Sequence, residues 1–579
     1  MIYQNKFIIT TKLPIDRLWA VMSDTSRMNK TMGLPAWEEA ELNGSRVVRT
    51  HVLGQEQEWV ESPWTWIVNQ EINQERIYKK GLMQKQTGKF RILSEKTSDG
   101  LNQVEVSFTW YGGALLRFVI GPMSAKFLKK AMTEYVHSQE RIYFANAQAK
   151  NLALTPLREL TAQDKDFIEA IVKEAQSSKP EILKTLLRYL IASDTLDIHK
   201  INPKKTAKET GLKTHEVIEQ LTKLTQSGYL ALTWDVICPH CRGPQLEASK
   251  LRFVAESTTC HSCDLEFSTQ SDQSIEVTFK PQSKFREIGS VTYCAAEPAK
   301  KSHILMNWPL SEMQSAKIDL KPGTYRARTL HGKKECEIKV EDKTSSTQKV
   351  NLDFKQPQMT LASGETEISY SGSEKDFFVF ESLAWSNERY LAGEALSNTH
   401  IRTLVNDDLL KSGVKLDIGE QIILFTDIVG STPMYTRLGD NKAFIAVQDH
   451  YVEIENIIKA HNGVVVKFIG DAVMAAFTDA SLAFKANQDI HSAFKNNKDS
   501  LVLRTSFHIG QVLCVNMNVG LDYFGQTVNT AAKLQGWADG FETAVSEQTL
   551  QRVPESQRLQ LVIKKSGFDD KLKEQVLVF

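Results

Sequence analysis

The chain has 579 residues, 41% of them hydrophobic and 24% charged, and its 70 basic residues balance its 70 acidic ones. This composition is typical of globular proteins, and nothing in the overall charge indicates binding to nucleic acid or to an anionic membrane surface. No stretch reaches the roughly 18 apolar residues of a membrane span and the N-terminus lacks the core of a signal peptide, so we expect a cytoplasmic protein of about four domains.

Residues 1–150 are predicted to form an α+β domain. Residues 104–110 alternate between apolar and polar, which indicates a strand. A long helix is predicted from about Met123, with Phe127, Ala131, Tyr135 and Ile142 on or near one face. A curved antiparallel sheet around a long C-terminal helix resembles the helix-grip fold of START-like, SRPBCC-type domains. That resemblance implies a sensor domain with a cavity for a small apolar ligand; the alternative is that its many aromatic residues simply fill the core.

Residues 155–235 are predicted to be mostly helical, with a helix, a turn at Gly211 and a second helix that resemble a winged-helix unit. The functional interpretation is DNA binding through the second helix. Glu216 places an acidic side chain where phosphate contacts need cations. We therefore favour a structural or protein-contact module and expect no nucleic-acid partner.

Residues 236–272 contain two CxxC pairs, "CPHC" and "CHSC", separated by 18 residues. Each pair can offer two thiolates to one tetrahedral ion, so the spacing predicts a zinc ribbon. The predicted Zn²⁺ ligands are Cys238, Cys241, Cys260 and Cys263. Four thiolates leave no open coordination position, so the site is predicted to be structural; a redox disulfide is the alternative.

Residues 275–400 are rich in strand patterns and turns, which predicts a β-sandwich-like domain of unassigned function. A short helical connector, at about 397–411, is predicted to lead into the last part of the chain.

The stretch "QIILFTDIVGST" reads as an apolar strand that ends in an acidic turn. Asp427 offers a carboxylate to a hard cation, and Gly430, Ser431 and Thr432 open a helix whose free N–H groups suit a phosphate. Both features together indicate a site for a metal-bound phosphate ester.

The later stretch "VVVKFIGDAVMAAF" predicts two strands joined by a tight turn at Gly470 and Asp471. If its strands neighbour the strand of Asp427, the two carboxylates meet, and paired carboxylates that share Mg²⁺ are typical of phosphoryl transfer. An ordinary hairpin is the alternative interpretation of this turn alone.

Four motifs in order, "FTDIVGST", "VKFIGDAVMAAF", "HIGQV" and "YFGQTVNTAAKL", resemble the class III nucleotidyl cyclase catalytic domain over residues 418–579. The resemblance implies a ferredoxin-like fold that works as a homodimer, with active sites at the subunit interface. It also implies two Mg²⁺ or Mn²⁺ ions per site, held by Asp427, Asp471 and the carbonyl of Ile428.

The same resemblance assigns purine recognition to Lys467 and Asp522. A lysine that donates to adenine N1 and a carboxylate that accepts from the exocyclic amine select ATP, whereas guanylate cyclases of the family typically have glutamate and a small residue such as cysteine. Asn529 matches the residue that positions the ribose and transition state. Lys533 stands where the family usually has an arginine that stabilises charge on the phosphate, which predicts a weakened enzyme because lysine lacks the planar fork of donors.

Near the C-terminus, Lys571 and Lys573 are candidates for the basic residue that contacts the triphosphate. The whole chain is thus predicted to be a multidomain α+β adenylate cyclase that converts ATP to 3′,5′-cyclic AMP and pyrophosphate under the control of its N-terminal domains. The alternatives are a guanylate cyclase, a weakly active or degenerate nucleotide-binding scaffold, and, less favoured, a DNA-binding regulator.

Overall fold

The computed structural model shows a mixed α/β protein and describes the whole chain apart from short stretches. The stretches outside the described residues are 43–44, 53, 146–154, 261–262, 264, 290, 295, 313–314, 332–333, 345–347, 371–375, 385–387, 406–414, 496–500 and 518–519. None of the helices in the described part of the chain combines the length and apolarity needed to cross a bilayer.

The N-terminal region wraps an antiparallel sheet around one long helix. Its elements are β1 (Ile2–Thr11), α1 (Ile15–Ser23), α2 (Thr25–Thr31), β2 (Glu38–Leu42), β3 (Ser45–Val52), β4 (Gln55–Glu61), β5 (Thr65–Ile67), β6 (Glu71–Lys80), β7 (Met83–Ile92), β8 (Asn102–Gly112), a π-helical turn (Leu116–Ile120) and α3 (Gly121–Ala145). Strand β1 pairs with β8, and β8, β7 and β6 follow in order, so the first strand closes one side of the sheet.

The buried face of α3 differs in part from the prediction. Tyr135 is buried as expected, together with Ala125 and Met132. Phe127 is instead 46% exposed. Two residues span about 200° of helix, so Phe127 points away from the face that Ala125 buries.

The next region is helical and leads into short strands. Its elements are α4 (Ala162–Ala175), α5 (Pro180–Ala192), α6 (Thr195–Ile198), α7 (Pro203–Thr210), α8 (Thr214–Gln226), β9 (Leu230–Ile237), β10 (Pro244–Ala248), β11 (Ser257–Cys260), β12 (Leu265–Ser268) and β13 (Ile275–Pro281). Gly211 turns the chain between α7 and α8 with a φ of +71°, a left-handed conformation that glycine adopts without strain. Helix α8 is buried from Val217 to Thr222, so it is a packing element of this region.

A strand-rich region follows and extends the N-terminal sheet. Its elements are β14 (Ile304–Pro309), β15 (Ala316–Leu320), β16 (Gly323–Thr329), β17 (Glu335–Thr344), β18 (Gln348–Leu352), β19 (Gln358–Tyr370) and β20 (Phe377–Ser382). Strand β14 pairs with β5 through Met306–Ile67 and Asn307–Trp66. Strand β19 pairs first with β17 and then with β15 and β18, and so encloses a separate apolar core.

The connector and the C-terminal domain complete the chain. Their elements are α9 (Ala392–Leu396), α10 (Thr399–Val405), β21 (Lys415–Ile428), α11 (Ser431–Leu438), α12 (Asp440–Ala460), β22 (Val464–Ile469), β23 (Ala472–Phe477), α13 (Ala480–Lys495), β24 (Leu503–Met517), β25 (Gly520–Phe524), α14 (Gln526–Leu534), β26 (Thr543–Ser546), α15 (Glu547–Arg552), α16 (Glu555–Arg558), β27 (Lys565–Asp569) and β28 (Glu574–Val578). The last part of the predicted connector, 406–411, lies outside the described residues.

The C-terminal sheet has the strand order β22-β23-β21-β24-β26-β28-β27. The chain order β21-α12-β22-β23-α13-β24 is that of a ferredoxin-like fold. Leu424 and Phe507 pack with α12 and α13 on one face, whereas Phe425 and Tyr523 lie on the other, in one apolar core with α5, α8 and α9. The sheet is therefore covered on its second face by the middle of the same chain.

Candidate active site

Two carboxylates lie at the same end of the C-terminal sheet. Asp427 is the penultimate residue of β21, and Asp471 lies in the two-residue turn between β22 and β23. Strands β21 and β23 are direct neighbours, with Thr426 opposite Val473. Asp471 Oδ2 is buried and has no hydrogen-bond partner among the described residues. An ionised oxygen in that position is costly unless a cation approaches it, so it fits a metal ligand.

Arg504 holds the other carboxylate. It lies opposite Asp427 on β24, and its Nε and Nη2 donate to Asp427 Oδ2 over 2.8 and 2.5 Å. Both bonds use one oxygen, which leaves Oδ1 for another ligand. Sequence reasoning missed Arg504, although a lone arginine in the apolar strand "LVLRTSFHI" is a usable signal.

The turn that carries Asp471 is braced from α12. The Tyr451 hydroxyl donates to the Gly470 carbonyl, and its ring lies 4.3 Å from that of Phe468. Burial, and secondarily the charge of Asp471, raise the pKa of Tyr451, so it stays a neutral donor. Gly470 has a φ of +64°, which suits the tight turn.

The segment after Asp427 offers a backbone carbonyl and backbone N–H groups to a ligand. Ile428 is 4% exposed, so its side chain is in the core and only its carbonyl is left for a ligand. Gly430, with a φ of +74°, caps α11, whose first residues are the half-buried Ser431 and the exposed Thr432. The first turn of a helix leaves N–H groups free, so anions are stabilised there.

Lys467 and Asp522 form an ion pair from β22 and β25. Lys467 Nζ lies 2.6 Å from Asp522 Oδ2, and Asp522 Oδ1 accepts from the Tyr523 N–H over 2.7 Å. The lysine side chain is 37% exposed and the aspartate side chain 16%. The pair thus presents one donor and one acceptor side by side, both accessible to a ligand.

The four remaining candidates, Asn529, Lys533, Lys571 and Lys573, are exposed. Asn529 and Lys533 lie one turn apart on the exposed side of α14, and Lys571 lies in the turn between β27 and β28. Lys573, in the same turn, has a φ of +58°. Among the described residues, no hydrogen bond or ion pair joins Asn529, Lys533 or Lys571 to Asp427 or Asp471.

The connector contacts both sides of Asp522. Arg402 Nη2 donates to the Leu521 carbonyl over 3.0 Å, and its guanidinium lies 5.7 Å from the ring centre of Tyr523. The Ser397 hydroxyl lies 3.0 Å from the Tyr523 hydroxyl. Burial raises the pKa of Tyr523 to about 12, so this hydroxyl remains protonated. Helices α9 and α10 therefore hold the backbone that carries Asp522.

The four predicted zinc ligands come together at the ends of β9, β11 and β12, outside the C-terminal sheet. All four sulfurs are buried and lie within 4.8 Å of one another, and Cys241 Sγ is 3.5 Å from Cys260 Sγ. A Zn–S distance of about 2.3 Å puts tetrahedral sulfurs about 3.8 Å apart, so the donor set fits Zn²⁺. The His240 N–H lies 3.3 Å from Cys238 Sγ, as a donor to a thiolate would.

This cysteine cluster contacts the large sheet through the first CxxC turn. Arg242 Nη2 donates to the Ser382 carbonyl over 3.0 Å, and His303 Nε2 lies 3.3 Å from the His240 carbonyl. Burial lowers the pKa of His303 to about 3, so it is neutral. The cluster thus joins β20 and the segment before β14 to the helical region.

Comparison with known proteins identifies the C-terminal region. Residues 416–566 match the family described as the Adenylate and Guanylate cyclase catalytic domain, and residues 163–328 match a family of unknown function. A curated relative, Adenylate cyclase 2 of Rhizobium meliloti (strain 1021), is 26% identical over 133 residues. The match covers 20% of this chain and 37% of that protein, so little more than a third of the relative's length is matched.

Solved structures of cyclases are also similar to this region. The adenylyl cyclase CyaB from P. aeruginosa is 19% identical, with 29% of this chain and 96% of that chain covered and a TM-score of 0.25. The guanylate cyclase domain of RhGC from Catenaria anguillulae in complex with GTP is 20% identical, with 28% and 96% covered and a TM-score of 0.25. The family match and the curated relative show that the chain carries a class III adenylyl/guanylyl cyclase catalytic domain.

Proposed function

We propose that the protein is an adenylate cyclase that converts ATP to 3′,5′-cyclic AMP and pyrophosphate. The observation that carries the choice of ATP is the pair of Lys467 and Asp522 in a domain of this class. Adenine presents an acceptor at N1 and a donor at its exocyclic amine, which match the ammonium and the carboxylate. Guanine presents a donor at N1 and an acceptor at O6, so both contacts would be repulsive.

Asp427, Asp471 and the Ile428 carbonyl are proposed to hold two Mg²⁺ or Mn²⁺ ions, the metals that cyclases of this class use. The buried, unpartnered Oδ2 of Asp471 supports this assignment. When bound, the ions would lower the pKa of the ribose 3′-hydroxyl and neutralise charge on the triphosphate. Arg504 fixes the Asp427 carboxylate, so little reorganisation is needed when the ligand arrives.

The remaining residues are proposed to bind and orient the nucleotide. The N–H groups of Gly430, Ser431 and Thr432 would contact phosphate oxygens, and Asn529 would orient the ribose. Lys533 would stabilise charge on the α-phosphate, and Lys571 would contact the triphosphate. The 3′-oxygen then forms a bond to the α-phosphorus as its proton passes to water, and the bond from the α-phosphorus to the pyrophosphate oxygen breaks.

A homodimer is proposed as the working form. Strand β22 is an edge strand, and Phe468 and Ile469 on it are 45% and 46% exposed. On neighbouring α12, Phe444 is 60% and Val452 is 59% exposed. Apolar side chains exposed at a sheet edge favour pairing with a second copy, which would bring Asn529 and Lys533 of one subunit towards the carboxylates of the other.

The N-terminal region is proposed to regulate the catalytic domain as a helix-grip sensor. A small apolar ligand there stays a prediction; one groove among the described residues of this region, of about 610 Å³, is lined largely by polar residues such as Asn73, Thr87 and Lys89. The contacts of Arg402 and Ser397 with β25 supply a path from the middle of the chain to the site.

Two other proposals concern the middle region and the location. The four cysteines are proposed to bind one structural Zn²⁺ in a zinc ribbon, and this metal and the free cysteines suit a reducing, cytoplasmic compartment. DNA binding is disfavoured, because α8, the helix that would enter the groove, is buried from Val217 to Thr222.

The test is an assay of the purified chain with ATP or GTP and Mg²⁺ or Mn²⁺. We expect cyclic AMP from ATP, and a loss of at least about 100-fold in Asp427→Asn, which keeps the shape but removes the charge. Asp489→Asn, an exposed acid of α13, is the matched control and should keep full activity. ATP binding without a cyclic product under either metal would show a scaffold, and a cyclic GMP product would show a guanylate cyclase.

A further inference from the structure

The N-terminal region exposes an apolar stripe that neither the fold nor the proposed catalysis uses. Five side chains at the start of α3 and in the turn before it are between 46% and 69% exposed. They are Leu115, Phe118, Val119, Met123 and Phe127. Large apolar side chains scattered singly on a surface are ordinary, but five at helical spacing form a continuous face.

The stripe belongs to a well-anchored helix. Leu116, Ala125 and Met132, on the opposite side, are at most 5% exposed and lie in the N-terminal core. Gly121 packs directly against the Tyr3 ring, where a larger side chain would collide. The stripe is thus held outward by a folded element and is a stable feature of the surface.

The charges around the stripe are of one sign. Residues 113–133 contain four basic residues and no acidic residue, in a chain whose total charge is zero. These are Arg117, Lys126, Lys129 and Lys130, all exposed. None of the four forms a salt bridge with a carboxylate among the described residues. The tip of the β6–β7 hairpin adds Leu82, 39% exposed, and Lys79, next to the strand pairing of Met83 with Gly112.

We infer that this face binds the surface of an anionic lipid bilayer. An amphipathic helix with Phe, Leu and Met on one face and lysines beside it lies in the plane of the interface, with its apolar side chains among the acyl chains. The lysine stems can extend along the membrane so that their ammonium groups reach the headgroups. Such a helix lies on the membrane, which agrees with the lack of any spanning helix in the described part of the chain.

The positive charges around the stripe favour an anionic bilayer over a second copy of the chain as its partner. A two-fold interface through the stripe would bring two sets of Arg117, Lys126, Lys129 and Lys130 together and desolvate them without counter-charges. An anionic bilayer supplies the opposite charge over a broad plane. Each lysine near such a surface contributes about a fivefold increase in affinity.

The experiment is co-sedimentation of the full-length chain with vesicles of phosphatidylcholine alone or with 30% phosphatidylserine. We expect binding to the anionic vesicles that weakens with added salt, and little binding to the neutral ones. Reversal of Lys126, Lys129 and Lys130 to Glu should weaken binding at least about 100-fold. Phe118→Ser with Met123→Ser should weaken it at least about tenfold while the charge stays the same.

Matched control variants distinguish binding through this face from effects of the total charge or of the total apolar surface. Reversal of three exposed lysines elsewhere, Lys321, Lys349 and Lys355, changes the net charge equally and should leave binding unchanged. Leu559→Ser with Val562→Ser, at residues 78% and 79% exposed, controls for loss of surface apolarity. Equal binding by stripe and control variants, equal binding to neutral vesicles, or no binding would overturn the inference. A change of oligomeric mass in the stripe variants, without vesicle binding, would assign the face to a second copy instead.

Discussion

Lys467 Nζ lies 2.6 Å from Asp522 Oδ2, so the two charges proposed to meet the purine already neutralise each other before any nucleotide arrives. Asp471, four residues after Lys467, is not its partner. The two charges of the stretch "KFIGDAV" therefore serve different tasks, one on the strand and one in the turn.

Replacement of this pair should change nucleotide selection. Lys467→Glu with Asp522→Cys removes the donor and the acceptor that match adenine, so the ratio of kcat/KM for ATP to that for GTP should fall about 100-fold or more. Steady-state kinetics with both nucleotides measure this ratio. The exchange Lys467→Asp with Asp522→Lys keeps the ion pair and should keep the folded state while losing ATP preference. An unchanged ratio in both variants would show that the pair does not contact the base.

Arg402 should act on the site through β25. In Arg402→Ala, β25 loses a hydrogen bond to Leu521 and the cation over the Tyr523 ring. Together these two interactions stabilise the position of β25 by about 1–2 kcal/mol. We expect kcat/KM for ATP to fall roughly 5- to 30-fold with a smaller preference over GTP. Lys459→Ala, which removes only a surface ion pair of α12, is the control. A general loss of stability, with the ratio of kcat/KM for ATP to that for GTP unchanged, would contradict a role of Arg402 in positioning Asp522.

Lys533→Arg should raise activity if this side chain faces the reacting phosphate. Arginine offers a planar fork of donors where lysine offers a point charge, so we expect roughly a 3- to 10-fold higher kcat. Lys533→Gln should lower kcat, since the charge is lost. A lower kcat in Lys533→Arg would mean that the site is shaped for lysine.

The four-cysteine cluster should contain one zinc ion per chain. Metal analysis of freshly purified protein measures this content directly. Cys260→Ser removes one of four ligands and should release the ion and destabilise the region by at least about 3 kcal/mol, seen as a lower urea midpoint. Cys336→Ala removes a buried thiol outside the cluster and should leave the metal content unchanged. Zinc-free wild-type protein of full stability would contradict the assignment.

Histidine burial should make the catalytic domain sensitive to acid. Burial lowers the pKa of His491 to about 4, and its Nε2 lies 2.9 Å from Thr505 Oγ1. The pKa of a histidine in the unfolded chain is near 6.5, so between pH 6.5 and about pH 4 the unfolded chain binds more protons than the folded one. The stabilisation from neutral His491 is therefore complete above this pH range and is lost as the pH falls through it. The loss between pH 7 and pH 5 should be about 2 kcal/mol for this group.

Urea midpoints at the two pH values, in wild type and in His491→Gln, measure how much His491 contributes to the pH dependence of stability. The pH dependence should shrink in the variant, whatever its absolute stability. Leu559→Ser, at a residue that is 78% exposed and carries no titratable group, should leave the dependence as in wild type. An identical dependence in His491→Gln would show that this histidine does not titrate as its burial requires.

Local patterns predicted much of this protein from the sequence. The alternation at residues 104–110, the turn at Gly211 and the two strands around Gly470 are all present, because each depends on neighbours in the chain. The grouping of the four cysteines follows from their spacing for the same reason. The same local patterns predict Asp427 at a strand end and Asp471 in a turn, and the structure shows their strands, β21 and β23, to be neighbours.

Long-range contacts could not be predicted in this way. The bond from Arg504 to Asp427 spans 77 residues, and nothing local in either strand specifies it. The contact of Arg402 with Leu521 spans 119 residues and depends on how the connector packs on the sheet. Phe127 continues the apolar pattern of α3 and yet is 46% exposed, since an apolar residue at the edge of a helical pattern can point either way.

The pairing of Trp66 with Asn307 has a consequence for the synthesis of the chain. Strand β14 leaves the ribosome about 240 residues after β5, roughly 12 to 48 s later at ordinary elongation rates. During that interval β5 is an edge that could capture another nascent chain. It is only three residues long and follows Pro63, both features that discourage such capture. The shortness of β5 thus protects the growing protein until its own partner strand has been made.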